Sequence, residues 1–182
     1  MTRRIFFKLF VSFFLVIAIS TVMLDFTVRG AWERSLYNTI ERNLSQEVVM
    51  FANRVMTSSP EQYVAVAREA SQASGARATI IDRRGQVMAD SEANPQEMEN
   101  HATRPEFVAA LQGRVGESSR TSHTVGIDFL YVAAPVPNGA VRLAYPLSAI
   151  KEVNSQVRRS LFKSSLLAMV VALLLAALAS RS

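Results

Sequence analysis

"IIDRRGQVMADS", residues Ile80–Ser91, decides how this chain folds. Two short apolar stretches lie either side of Arg83-Arg84-Gly85, where glycine accepts the positive φ that a tight reversal needs. Carried back to Ala76, the segment reads as two strands of period two, "ARATIID" and "QVMAD", joined as a hairpin. It closes on Asp90-Ser91. A serine nucleophile needs a base within hydrogen-bond reach and a third group to orient that base, and no Gly-x-Ser-x-Gly elbow is present. Short polar side chains at the end of a strand bond the loop backbone instead, so the pair reads as the close of a strand.

Downstream, "EANPQEMENHAT" is a polar, irregular loop, and "RPEFVAAL", Arg104 to Leu111, is a short helix with proline in its first turn that stops before Gly113. "RVGESSRTSHT" is a weaker, polar strand or strand pair. "IDFLYVAAPV" is apolar on both faces, as a covered central strand should be, and "AVRLAYPL" follows the turn Pro137-Asn138-Gly139. Ser148 can cap a last helix in which Ile150, Val153, Val157 and Leu161 recur at helical spacing. Upstream, Pro60 opens a helix from Glu61 to about Ala73 that Gly75 ends. From Ala31 to Ser59 there is no glycine or proline, and Trp32, Leu36, Ile40, Leu44, Val48, Phe51 and Val55 form a helical stripe. That stripe is either the core face of a domain or a helix-pairing seam in a homodimer. The expected architecture is α+β: a long helix, a short helix, an antiparallel sheet of about five strands with an inserted helix, and a closing helix.

The termini are different in kind. Ile5–Leu24 and Leu161–Ala179 are apolar runs with one charge each, Lys8 and Lys163, and as helices each is long enough to cross a hydrocarbon layer of roughly 30 Å. Of 182 residues, 20 are Lys or Arg and 15 Asp or Glu. Between Asp25 and Ser160 the two signs balance, so the surplus of +5 sits on Arg3, Arg4, Lys8, Lys163 and Arg181, beside or within the apolar runs. The basic balance therefore points to the lipid bilayer and gives no support to nucleic-acid binding. Arg3 and Arg4 ahead of the first run and Lys8 near its start favour a cytoplasmic N-terminus and an extracytoplasmic middle. The alternative for the N-terminus is a cleavable signal peptide with its small residues at Ala18-Ile19-Ser20. The expected layout is a cytoplasmic 1–8, a transmembrane helix at 9–28, an extracytoplasmic sensor domain at 29–160, a second transmembrane helix at 161–179, and the start of a cytoplasmic linker at 180–182. There is no cysteine, which excludes disulfides, thiolate catalysis and cysteine-ligated zinc.

"TIIDRRGQVMADS", "NHATRPEFVAALQGRVGESSRTS", "FLYVAAPV" and "GAVRLAYPLSAI" together resemble the extracytoplasmic PAS-like, single-cache domain of membrane sensor histidine kinases of the phosphate-regulon type. The resemblance covers Thr79 to Ile150. It implies a homodimeric inner-membrane receptor that detects a small-molecule or protein stimulus and passes helix displacement through the membrane to a kinase, which in turn addresses a response regulator. Chemoreceptors and cyclic-dinucleotide enzymes carry such domains too. The kinase parts expected after the second span are absent: His101 and His123 both fall in the sensor region and no nucleotide loop exists, so the chain reads as a truncated input region with no catalytic residues. "ASRS" could open a HAMP linker. An anchored extracytoplasmic enzyme and a scaffold are the rival classes.

Five residues are candidates for ligand binding: Asp90, Arg104, Arg120, Tyr131 and Arg142. Arg104, at the start of a helix, could hold a carboxylate or phosphate, and its structural alternative is a salt bridge to an acid such as Asp90 or Glu106. Tyr131 could line a pocket or serve as core, and Arg120 and Arg142 share that ambiguity. Asp90, Glu92, Glu97, Glu99 and His101 form an acidic loop, but it lacks calcium-loop spacing and reads as solvated. No metal and no cofactor are expected.

Overall fold

The computed structural model describes residues 2–121 and 126–148 and, further on, 163–165, 167, 170 and 171. The chain divides into two compact units, Met1–Ile40 and Glu41–Ser182. Helix α1, Thr2–Met56, is unbroken, as the absence of glycine and proline from its outer half predicts, and it stops short of Pro60. A single 3-10 turn at Pro60–Gln62 leads into α2, Tyr63–Ser74, which ends on Gly75 at φ 64°.

A five-stranded antiparallel sheet follows, built from β1 (Arg77–Asp82), β2 (Val87–Asp90), β3 (Gly116–Thr121), β4 (Asp128–Val136) and β5 (Gly139–Pro146). Its spatial order is β2-β1-β5-β4-β3. The hairpin of β1 and β2 turns at Gly85, φ 83°, as the opening stretch requires. Helix α3, Pro105–Leu111, lies in the long connection from β2 to β3, with Arg104 as its extended N-cap. The polar loop before it holds one 3-10 turn, Pro95–Glu97.

Directly paired residues share a face, so the register sorts the side chains. Ala78, Ile80, Leu130, Val132, Val141 and Leu143 lie on one face and are all buried. Glu117 of β3 points the same way, being paired with Val132, and the neighbouring Glu41 carboxyl of α1, with burial adding to it, raises its pKa. This proximity sets α1 beside that face. The α1 side chains Leu44, Val48, Phe51, Ala52 and Val55 are buried as well, so within the second unit the stripe is core. On the other face lie Arg77, Thr79, Ile81, Tyr131, Ala133, Ala140 and Arg142, together with Asp90 and Arg120. There Ile81, Ala133 and Ala140 pack with Phe107 and Ala110 of α3.

Among the described residues no helix is long and apolar enough to cross a membrane, so the first expected span has no support there. The second expected span, 161–179, and the closing helix with Ile150, Val153, Val157 and Leu161 fall almost wholly outside the described residues, as does His123.

Candidate functional site

The second face of the sheet carries a chain of contacts among polar side chains that runs across all five strands and α3. It begins at β2. Asp90 accepts from Arg77 Nε at 2.9 and 3.1 Å, from Thr79 Oγ1 at 2.8 Å, and from the backbone N–H groups of Glu92 and Ala93 at 2.9 Å each. Burial alone would raise the Asp90 pKa, but the two backbone donors, Arg77 and Thr79 outweigh it and hold the carboxyl below its usual range. Ser91 closes the strand: its Oγ accepts from Ala78 N at 3.0 Å while its own N–H donates to Ala78 O. This is the strand-closing role expected of the pair.

Thr79 is the link to the next strand. The register sets it opposite Arg142 of β5, and Arg142 Nη2 donates to its Oγ1 at 3.3 Å. Arg142 Nη1 stands 3.8 Å from Glu106 Oε1. Glu106, delivered by the first turn of α3, then forms a two-pronged pair with Arg120 of β3 at 2.8 and 2.9 Å. The Arg120 guanidinium carbon lies over the Tyr131 ring, 3.7 Å from its centroid, and that of Arg142 lies 5.2 Å from it. Four of the five sequence candidates, Asp90, Arg120, Tyr131 and Arg142, thus belong to one network.

Arg104 does not join it. Its Nη2 donates to Glu99 Oε2 at 3.2 Å, and Glu99 is 85% exposed, so the salt bridge expected with an acid such as Asp90 or Glu106 is made with a surface residue instead. The acids of the loop also part company. Asp90 turns inward, Glu97 accepts from Asn94, and Glu99 pairs with Arg104. Among the described residues no group of three or more metal-ligating side chains could hold an ion.

Burial makes this network consequential. Glu106 is 0% exposed and Arg142 4%. Burial pushes Arg142 down to about 10, partly opposed by Glu106, which still leaves it charged at neutral pH. Glu106 is held low because Arg120, backbone hydrogen bonding and Arg142 outweigh the effect of burial. His101, also buried, is pushed down to about 4 by burial and then by Arg142, so it is neutral. Its Nδ1, 2.6 Å from the Glu99 carbonyl, therefore carries the proton and donates it there. Three guanidinium groups (Arg77, Arg120, Arg142) meet two carboxylates, and Arg142 Nε has no hydrogen-bond partner among the described residues. A buried cation with a spare donor and an excess of positive charge around it is suited to a carboxylate or phosphate oxygen.

Arg77, Thr79 and Glu106 are network residues that the sequence candidates omitted. The alternation Arg77-Ala78-Thr79-Ile80 is the one signal that could have flagged the first two, since it places two polar groups on one face of an otherwise apolar strand.

Residues 36–145 match the single Cache-like family. The chain belongs to that family. No curated protein matches it. Among solved structures, this Cache-like chain is similar to the sensory domain of the Campylobacter jejuni chemoreceptor Tlp3 (8% identity, TM-score 0.56, 67% of this chain and 59% of that one). It is similar also to the ligand-binding domain of the Pseudomonas aeruginosa PAO1 chemoreceptor PctC in complex with GABA (12%, TM-score 0.54, 68% and 60%). The sensor domain of the Vibrio cholerae histidine kinase DctB aligns at 24% identity with a TM-score of 0.46, over 60% of this chain and 46% of that one. The Cache-like chain thus spans about half to three fifths of the lengths of these structures, and at such identities the likeness is one of fold.

Proposed function

We propose that this chain is the sensory input region of a membrane-anchored, homodimeric signalling protein, and that its Cache-like domain captures a small ligand through an anionic group. The observation that carries the ligand class is Arg142, charged, buried and, among the described residues, with a donor to spare, in a cluster where the described cations outnumber the carboxylates. An unsatisfied buried donor costs about 1–3 kcal/mol, and an incoming oxygen removes that cost.

A two-component histidine kinase is the output we propose, acting on a response regulator. The motifs from Thr79 to Ile150 that resemble phosphate-regulon-type sensors support it. A chemoreceptor output is the alternative, supported by the Tlp3 and PctC folds. Membrane attachment is part of the same proposal. It rests on the two apolar runs of the sequence and on the exposed apolar side chains of α1, among them Val11, Leu15, Ile17, Val22 and Phe26. With attachment at both ends, a ligand that favours one arrangement of the domain would pass helix displacement across the bilayer.

The test is thermal unfolding of the full chain in detergent with acetate, GABA or inorganic phosphate, against chloride at equal ionic strength. At least one anion is expected to raise the midpoint, and Arg142→Met is expected to abolish the gain. If none does so beyond chloride, the ligand reading fails. Because the chain lacks cysteine, single cysteines introduced at exposed Glu99 and at Lys8 can be labelled in intact cells. Label at Glu99 alone agrees with the proposed topology, and label at neither contradicts it.

A further inference from the structure

We infer that Glu106 is the resident occupant of the anion site: its carboxylate holds the place that the ligand's anionic group takes, so that binding exchanges one carboxylate for another on Arg120 and Arg142 and displaces α3. This deepens the ligand reading above and rests on it.

The geometry around Glu106 is that of a bound ligand more than of a packed side chain. Its two oxygens meet the Arg120 fork at 2.8 and 2.9 Å, the bidentate arrangement by which guanidinium binds any free carboxylate. It serves the second cation poorly: Arg142 Nη1 is 3.8 Å away, and Nε is left without a partner among the described residues. A carboxylate not tied to α3 could move deeper and serve both cations. Access exists on the Arg120 side, where that side chain is 23% exposed and Tyr131 is half-buried.

The element that delivers Glu106 is lightly fastened. Helix α3 has seven residues, its N-cap Arg104 makes no side-chain capping bond, and it is bounded by Gly113 at φ 83°. Beneath it, Gly116 of β3 lets the helix backbone lie directly on the strand, since a Cβ there would collide with the Glu106 carbonyl oxygen. Releasing the carboxylate therefore breaks the strongest polar tie of α3 to the sheet and leaves the apolar contacts of Phe107 and Ala110.

An internal competitor lowers apparent affinity by the fraction of time it occupies the site. Glu106→Gln keeps the shape and removes the charge, so acetate is expected to bind that variant about tenfold or more tightly than the wild type, as read from the acetate dependence of the unfolding midpoint of the full chain in detergent. If wild type and variant bind acetate equally, the site is real and Glu106 is not its occupant. If neither binds acetate or another anion, the ligand reading itself falls. A measurement on the wild type alone guards against a variant that does not fold. At saturating acetate, hydrogen exchange is expected to quicken at the amides of Phe107–Leu111 while β1 and β5 stay protected. Bound acetate with unchanged exchange in α3 overturns the proposal.

Discussion

The sheet has two faces cut from the same strands, and they are stabilised by opposite physics. On the face toward α1, Ile80, Leu130, Val132, Val141 and Leu143 give up water without needing partners, and each is buried. On the face toward α3, Asp90, Arg120 and Arg142 give up water only because each has an opposite charge beside it, and Thr79 because it donates to Asp90. An apolar face tolerates small errors of position, whereas a buried polar face is satisfied by one arrangement and can be re-satisfied by a ligand. The first is suited to holding the fold and the second to changing state.

The sharpest way to separate the faces is to remove one charge. Glu106→Leu leaves Arg120 and Arg142 facing each other and should cost about 3–5 kcal/mol in chemical denaturation of the full chain. Replacing Glu106, Arg120 and Arg142 together by apolar residues of similar size should recover most of that loss. If the triple variant is as unstable as the single one, the polar face contributes packing and not charge balance.

On the opposite face, Leu143→Ala should cost about 2–4 kcal/mol through the cavity it leaves, with no dependence on added anions. A loss reversed by acetate would mean that the two faces are coupled in a way this account does not contain.

Acid distinguishes the faces again. Burial, with Arg142 adding to it, lowers His101 from 6.5 to about 4, so between those values the unfolded chain takes up a proton that the folded chain refuses. Stability should be complete above about pH 6.5 and fall by about 2 kcal/mol as the pH drops toward 4, allowing for solvent screening. As the pH falls below their ordinary values of 4.5 and 3.8, Glu106 and Asp90, both lowered in the fold, progressively lose their stabilisation too. His101→Gln should flatten the upper limb of the curve, and an unchanged slope would assign that limb to another group.

Smallest of all, Arg104→Ala should change stability by less than about 0.5 kcal/mol, because its partner Glu99 is a solvated surface residue. A large loss would bring Arg104 back into the site.

The apolar face was legible in the sequence and the polar face was only half so. The hairpin could be read because Gly85 has the φ its turn demands, and β4 and β5 because an apolar run and Pro137-Asn138-Gly139 bound them. β3 read weakly for a physical reason: it is an edge strand in which Gly116 is buried while Glu117, Ser119 and Thr121 are exposed, so it carries no apolar alternation. Glu106 was read only as a possible partner of Arg104, because an acid in the first turn of a helix is ordinary there. What makes it special is an arginine 14 residues away, and Thr79 likewise meets Arg142 across 63 residues. Such pairings follow from strand register, which local pattern does not fix. Arg104 looked functional for a local reason, its place before α3, and its side chain turns to the surface.

The measurement that bears most directly on the polar face as an anion site is the Nε–H resonance of Arg142 in the full chain carrying nitrogen-labelled arginine, assigned by its loss in Arg142→Lys and followed during titration with acetate. A new acceptor on the unpaired Nε should move this resonance to lower field as the site saturates, with the Arg120 signal shifting alongside it. An Arg142 signal that stays fixed while acetate binds elsewhere, or while none of the tested anions binds at all, would contradict the account.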